Sequence, residues 1–129
     1  MAKVKAWKAS AQWTPAVIGA DETTPIFNVP KGTRVRSMSV RVDKAAASST
    51  DSSFVLGDGT ATNGFFTTFD TETNAAGTIV DAAGTFTNQS GGRLYLVADT
   101  IDIVYSHGTT PGATKPVYTF RGTFEQEWP

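Results

Sequence analysis

Few residues in this chain could carry out chemistry. There is a single histidine, His107, which lies beside Gly108 in the turn-rich segment 107–116. Serine and aspartate are plentiful, so a Ser-His-Asp arrangement is formally possible, but no serine lies in a G-x-S-x-G nucleophile elbow. The chain has no cysteine, which excludes thiolate nucleophiles and zinc sites built on thiolates. We therefore expect His107 to be a solvent-facing loop residue and the protein not to be an enzyme.

Two groups of carboxylates could provide oxygen ligands for calcium: Asp51, Asp58 and Asp70 in one, and Asp99 and Asp102 in the other. Neither group has the spacing of a twelve-residue calcium loop. An aspartate before glycine, like Asp58, is also a turn former, because its carboxylate accepts hydrogen bonds from nearby backbone N–H groups. We favour the turn interpretation and expect no bound metal or cofactor.

Basic residues are concentrated in the first third of the chain. Residues 1–44 contain eight Lys/Arg against three Asp/Glu, whereas residues 45–129 contain three against nine. This asymmetry either has no functional meaning in a small domain or indicates docking onto a surface of opposite charge. A pI near 5.7 and the lack of aromatic residues among the arginines argue against a nucleic-acid partner. We predict contacts with a partner protein or a neighbouring subunit by Lys3, Lys5, Trp7, Lys8, Trp13, Arg34, Arg36 and Arg41.

The elements that position these residues are strands. Residues 91–106, GGRLYLVADTIDIVYS, contain a short apolar run followed by strict alternation from Thr100 onwards. Alternation with β-branched and aromatic residues is typical of a strand with one buried face. We predict two strands separated by a turn at Ala98-Asp99. The predicted core includes Leu94, Leu96, Ile101 and Ile103.

About eight such strands are predicted, with no helix, so the expected fold is an all-β antiparallel sandwich or jelly roll. Residues 34–43 form one half-buried strand, and polar linkers are expected at 21–25 and 45–51. Residues 1–24 lack a clear period and are predicted to be an N-terminal arm before a sandwich domain at 25–129. Its tryptophans, Trp7 and Trp13, need cover from the chain's own sheet or, as we favour, from a neighbouring subunit. No apolar run is long enough to span a membrane.

The order of these segments resembles the small β-rich virion proteins of tailed bacteriophages. The resemblance covers roughly residues 25–121 and is carried by FNVPKGTRVRSMSVRV, SSFVLGDG, GGRLYLVADTIDIVYS and PGATKPVYTF. It implies a head decoration, or cement, protein that binds the major capsid protein on the capsid exterior, bridges capsomers and stabilises the shell. It also implies a homo-oligomer, a trimer of β-rich subunits.

An alternative is a carbohydrate- or receptor-binding module of a phage tail, since jelly rolls often carry sugar sites. That function requires a concave face with exposed aromatic residues beside Asp or Asn. The candidates for such a face are Trp7, Tyr95, Tyr105 and Tyr118.

Overall fold

In a computed structural model of the chain, nine strands form two packed sheets. The structure describes residues 3–17, 19–46, 52–70, 74–88, 92–108 and 114–128. The strands are β1 Lys3–Trp13, β2 Glu22–Val29, β3 Thr33–Lys44, β4 Ser53–Gly57, β5 Phe66–Asp70, β6 Ile79–Asp81, β7 Arg93–Leu94, β8 Asp99–Ser106 and β9 Val117–Trp128. A 3-10 turn covers Thr85–Asn88. Within these ranges there is no helix with the length and apolar character of a membrane span.

The strands alternate between the sheets in the order of a jelly roll. One sheet has the order β1-β9-β3-β6, with β7 also paired to β3, and the other has the order β2-β8-β4-β5. All described pairings are antiparallel. Apart from the two-residue β7, this order corresponds to two interlocked Greek keys, the jelly-roll topology. The predicted fold class is confirmed.

A bulge in β3 decides which of its residues face the core. The buried residues have odd numbers at the start of the strand and even numbers afterwards: Thr33, Val35, Met38, Val40 and Val42. The pairing with β9 shifts between Val35 and Ser37, so one extra residue enters β3 and reverses the alternation. As a result Arg36 and Ser37 are both exposed, on the side of the sheet away from the core.

Aromatic rings fill the space between the two sheets. Phe54 on β4 stacks on Phe69 at 4.7 Å between centroids and meets Tyr118 and Phe120 of β9 at 5.0 and 5.5 Å. Ile101 on β8 is fully buried in the same cluster. Each such ring removes a large apolar area from water, which provides the main stabilisation of a small domain without disulfides.

The predicted core positions are confirmed for Ile101 and Ile103 but wrong for Leu94 and Leu96. Leu96 is 72% exposed, and the buried residue of this segment is Tyr95. The reason is that β7 has only two residues and the backbone bends at 96–97, before the predicted turn at Ala98-Asp99. Tyr95 is fixed by two backbone hydrogen bonds: its N–H donates to the Thr33 carbonyl, and its carbonyl accepts from Gly32 N–H.

The predicted linker at 21–25 is also wrong in part, because β2 begins at Glu22 and pairs with β8 from that residue. The second predicted linker falls mostly outside the described residues, at 47–51.

Residues 3–13 of the predicted arm form the long strand β1. It pairs with β9 over its whole length, from Lys3 opposite Trp128 to Trp13 opposite Tyr118. Trp13 is buried within the chain's own core. Trp13 is therefore covered by the chain's own sheets and not by a neighbouring subunit.

A pair of Leu→Ala substitutions tests the assignment of the core. Leu56 is fully buried, so Leu56→Ala is expected to lower the free energy of unfolding by about 2–5 kcal/mol. Leu96→Ala removes the same atoms from an exposed site, and a change within about 0.5 kcal/mol is expected. Urea unfolding followed by circular dichroism measures both. Equal losses in the two variants would contradict this arrangement.

Deletion of residues 1–13 tests whether the N-terminal segment is a separable arm. The deletion removes β1, uncovers one side of β9 and opens the space that Trp13 fills. We expect a loss of stability larger than the about 3–5 kcal/mol that truncation of a buried tryptophan costs. A shortened chain that unfolds at the unchanged urea concentration would instead support the predicted division at residue 24.

Candidate partner-binding surfaces

The predicted contact residues lie mainly on two strands of the five-stranded sheet. Lys5, Trp7 and Lys8 are on β1, while Arg34, Arg36 and Arg41 are on β3. Lys3 also belongs to β1, but its side chain lies outside the described part of the structure. Because β9 separates β1 from β3, the two groups of side chains flank one central strand.

The outer face of this sheet, turned away from the core, carries four of the predicted residues. Lys8 lies opposite Thr123 of β9, and Arg41 lies opposite Thr119 of the same strand. The other two are Arg36, exposed beside the bulge, and Arg34, between the inward-facing Thr33 and Val35. Arg121 lies on the same face of β9 and was missed from sequence, since only pairing with β1 and β3 places it beside them.

Two of these cations are already engaged within the chain. The Arg36 Nε is 3.1 Å from the Glu125 carboxylate, and the Arg41 Nε is 2.8 Å from Asp43 Oδ1. Arg34 lies opposite Glu125 in the β3–β9 ladder. The outer face is therefore a mixed surface of cations, carboxylates and hydroxyl groups.

Asp43 is the centre of a polar network at one end of this face. Its carboxylate accepts hydrogen bonds from the Thr119 hydroxyl, the Gln12 amide and the Arg41 guanidinium. Partial burial alone would raise the pKa of Asp43, but these hydrogen bonds and the nearby Arg41 charge lower it below its ordinary value of 3.8. The network joins β1, β9 and β3 through their side chains.

The tryptophans differ in their availability to a partner. Trp13 is 5% exposed and packs between Tyr105 and Tyr118 of its own chain. The prediction that Trp13 contacts a partner is therefore wrong. Trp7 is only partly buried; its ring stacks on Phe124 at 5.5 Å, and the Lys5 ammonium lies 5.7 Å from its centroid. Trp7 and Lys5 keep an accessible surface at the β1 edge.

A second surface was missed because two of its residues, Leu94 and Leu96, were predicted to be core. Leu94, Leu96 and Val97 are exposed by 38, 72 and 74% and form what we call the apolar tip, at the end of the sandwich where β7 leads into β8. Exposed apolar residues that are adjacent in a protein are typical of contact sites. The sequence signal that could have identified them is the absence of alternation between Arg93 and Ala98.

The base of the apolar tip is held by a buried ion pair. Arg93 Nη2 is 3.3 Å from Asp58 Oδ2, and the Asp58 side chain is fully buried. The Arg93 guanidinium also lies 4.1 Å from the centroid of Phe86. Burial of the Tyr95 ring, with the Asp58 carboxylate nearby, raises the pKa of Tyr95. These contacts fix the backbone from which Leu96 and Val97 project.

Two carboxylates of the calcium hypothesis, Asp58 and Asp99, bind backbone N–H groups. Asp58 Oδ1 accepts hydrogen bonds of 2.9 Å from the backbone N–H groups of Thr60 and Ala61, and Asp99 accepts one from Thr100 N–H. The turn interpretation is confirmed at these positions. Asp51 lies outside the described residues, and among those described no group of three or more His, Asp or Glu is placed to hold a metal.

His107 is a partly exposed residue paired with a carboxylate. Asp21 Oδ1 accepts a hydrogen bond from the backbone N–H of His107 at 3.0 Å and lies 2.6 Å from its ring Nδ1. These interactions lower the pKa of Asp21. The pair joins the start of β2 to the end of β8, and in the described part of the chain no serine hydroxyl bonds to the ring.

The aromatic residues proposed for a sugar-binding face are mostly buried. Tyr95, Tyr105 and Tyr118 are each exposed by 5% or less, so none of the three forms such a face. They pack in the core between the sheets. Trp7 alone among the four candidates keeps accessible surface.

Comparison of the structure with solved structures finds the same fold in bacteriophage capsids. A chain of the acid-stable capsid of Helicobacter pylori bacteriophage KHP30 matches with a TM-score of 0.68 and 13% identity, covering 100% of this chain and 99% of that one. A chain from the capsid asymmetric unit of cyanophage Pam1 matches with a TM-score of 0.61 and 15% identity, covering 97% and 86%. No protein-family model and no curated protein matches the sequence. The predicted resemblance to small β-rich virion proteins is confirmed at the level of the fold.

Asp43→Asn tests the network on the outer face. Because the pKa of Asp43 is lower in the folded protein, its contribution to stability is complete above the ordinary carboxyl pKa of 3.8 and is lost as the pH falls below it. The difference in unfolding free energy between wild type and variant should therefore shrink as the pH falls below about 4. Urea unfolding between pH 3 and 7 measures it. Asp81→Asn, at an exposed position of β6, is the control, and a pH-independent loss for Asp43→Asn would contradict the network's role.

Proposed function

We propose that this protein is a bacteriophage capsid decoration (cement) protein that binds the major capsid protein on the outside of the head. The observation that supports this most directly is the match in fold, over nearly the full length of both chains, with a chain of the KHP30 capsid. The likeness covers the whole sandwich, including the N-terminal strand. Since a fold alone hosts many functions, the surfaces of this chain provide the second part of the argument.

Those surfaces suit a bridging role because two of them differ in chemistry and position. The outer face of the five-stranded sheet is polar, with Lys8, Arg36 and Arg121 among hydroxyl groups. The apolar tip lies at one end of the sandwich and presents Leu96 and Val97. A molecule with two such surfaces can contact one neighbour through charge and another through apolar burial. It would thereby link two capsomers, or a capsomer and a second copy of itself.

The shell would be stabilised because the same modest contacts are repeated at every bound copy of the protein. Each contact buries a modest area, but a subunit held at two sites gains effective affinity, because the second contact forms within an existing complex. A protein that binds the assembled lattice and not its separated subunits stabilises the lattice by mass action. No chemical reaction is required, and we propose a purely structural role. We also propose a trimer as the bound form.

The tail-module alternative is less well supported than decoration. Three of its four candidate aromatic residues are buried, and Phe124, the ring on which Trp7 stacks, is buried as well. The surfaces that are exposed, the polar sheet face and the apolar tip, suit contacts between proteins.

Binding to particles tests the proposal. Purified heads lacking this protein are mixed with the wild-type chain and sedimented, and bound copies are counted by quantitative mass spectrometry. We expect saturation at hundreds of copies per head and a higher temperature of head disruption. A few tens of copies or fewer, or no binding, would contradict a decoration role.

A double substitution in the apolar tip tests, in the same binding assay, whether this surface contacts the head. Leu96→Asp/Val97→Asp changes two exposed side chains, so we expect unchanged folding but at least about tenfold weaker binding to heads, as expected for loss of two apolar anchors. Val17→Asp is the matched control, since Val17 is 59% exposed at the opposite end of the sandwich. Equal binding by the tip variant and the control would remove the tip from the bridging mechanism.

A further inference from the structure

A shallow groove of about 450 Å³ lies on the outer face of the five-stranded sheet. Three strands contribute its walls, and its polar side chains are Lys8, Ser10, Ser37, Ser39, Arg121 and Thr123. The backbone at Ala9 and Gly122 forms the floor. The groove therefore combines two cations with four hydroxyl groups, and no carboxylate is among the described residues that line it.

The strand register arranges these side chains in two neighbouring rows. In the first row, Lys8, Thr123 and Ser37 lie side by side, and the Ser37 and Thr123 hydroxyl groups are hydrogen-bonded at 2.6 Å. In the second row, Arg121 lies between Ser10 and Ser39. Lys8 and Arg121 are thus diagonal neighbours on adjacent antiparallel strands, a relation that separates residues by roughly 7–8 Å.

These two cations differ from the others on this face in having no anionic partner. Arg36 pairs with Glu125 and Arg41 with Asp43, whereas Lys8 and Arg121 make no ion pair with any described residue. The carboxylate of Asp81 belongs to the neighbouring strand β6, where Asp81 lies opposite Ser39. Asp81 forms no ion pair with Arg121. The groove therefore carries two positive charges that no described carboxylate neutralises through an ion pair, beside several hydroxyl groups.

We propose that this groove binds two carboxylates of an extended acidic segment, of the form acidic-x-acidic, in the protein on which this molecule docks. In an extended chain, alternate side chains point the same way and are about 6.6 Å apart, because the rise is about 3.3 Å per residue. This spacing matches the diagonal separation of Lys8 and Arg121. The groove has no aromatic ring on which a base or sugar would stack, so a peptide carboxylate fits it better than either.

The inference rests on the proposed function for its biological partner but can be tested without a capsid. The probe is a capped Glu-Thr-Glu peptide, titrated into the full chain at low salt and followed by amide NMR shifts. We expect the largest shifts on the groove strands, around Ser37, Ser39 and Thr123, and none with Gln-Thr-Gln. The variant Lys8→Glu/Arg121→Glu should weaken peptide binding by about tenfold or more, and added salt should weaken wild-type binding.

Lys31→Glu is the control for charge reversal outside the groove, because Lys31 is exposed in the β2–β3 turn. Thermal unfolding of all variants checks that each is folded. Shifts that are equal for the Glu and Gln peptides, or unchanged in the double variant, would overturn the proposal. Tighter binding of inorganic phosphate or of an oligonucleotide at the same residues would also overturn it.

The particle assay separates this inference from the proposed function. If wild type binds heads and Lys8→Glu/Arg121→Glu does not, while Lys31→Glu binds normally, both are supported. If the double variant binds heads as well as wild type, the groove is not the docking site although decoration stands. If wild type binds no heads but the peptide result holds, the decoration role fails and the groove remains an acidic-peptide site.

Discussion

The structure depends on β9 being paired along both of its edges. This strand lies between β1 and β3, and its inward residues are three aromatic residues, Tyr118, Phe120 and Phe124, and one glycine, Gly122. A Cβ at Gly122 would lie 2.7 Å from the Phe124 ring and 3.1 Å from Met38 Cε, so any larger residue would displace the side chains that cover the strand here. The outward residues of the same strand, Arg121 and Thr123, line the groove. A slip of one residue would exchange the two sets, and therefore the register that builds the core also builds the surface.

The sequence predicted the fold class well where alternation was strict. At Met38 to Val42 and at Ile101 to Tyr105, every second residue is buried, as expected for a sheet with one wet face. The prediction failed at Leu96, because a two-residue strand followed by a bend leaves no period from which to tell inside from outside. It failed at Glu22 to Pro25 because β2 is an edge strand, where proline and polar residues are tolerated.

The surfaces were predicted less completely than the fold. Lys8 was identified from local charge, but Arg121 lies in the acidic part of the sequence, and only long-range pairing places it beside Lys8. The apolar tip was assigned to the core, since hydrophobicity alone does not distinguish a buried leucine from one at a contact site. The ion pair of Arg93 with Asp58, which supports the tip, joins residues whose distance in sequence gives no hint of contact.

The pairing of Lys3 with Trp128 has a consequence for how the molecule is made. The first strand has no neighbour until the last strand has been synthesised, so a growing chain on the ribosome cannot complete the larger sheet. Contacts between such distant parts of a chain also make folding slow. Completion of the sandwich must therefore wait for synthesis of β9, and until then the inner side of β1, with Trp13, is open to other chains. The interval between synthesis of β1 and closure of the sheet is when this strand could be exchanged between molecules.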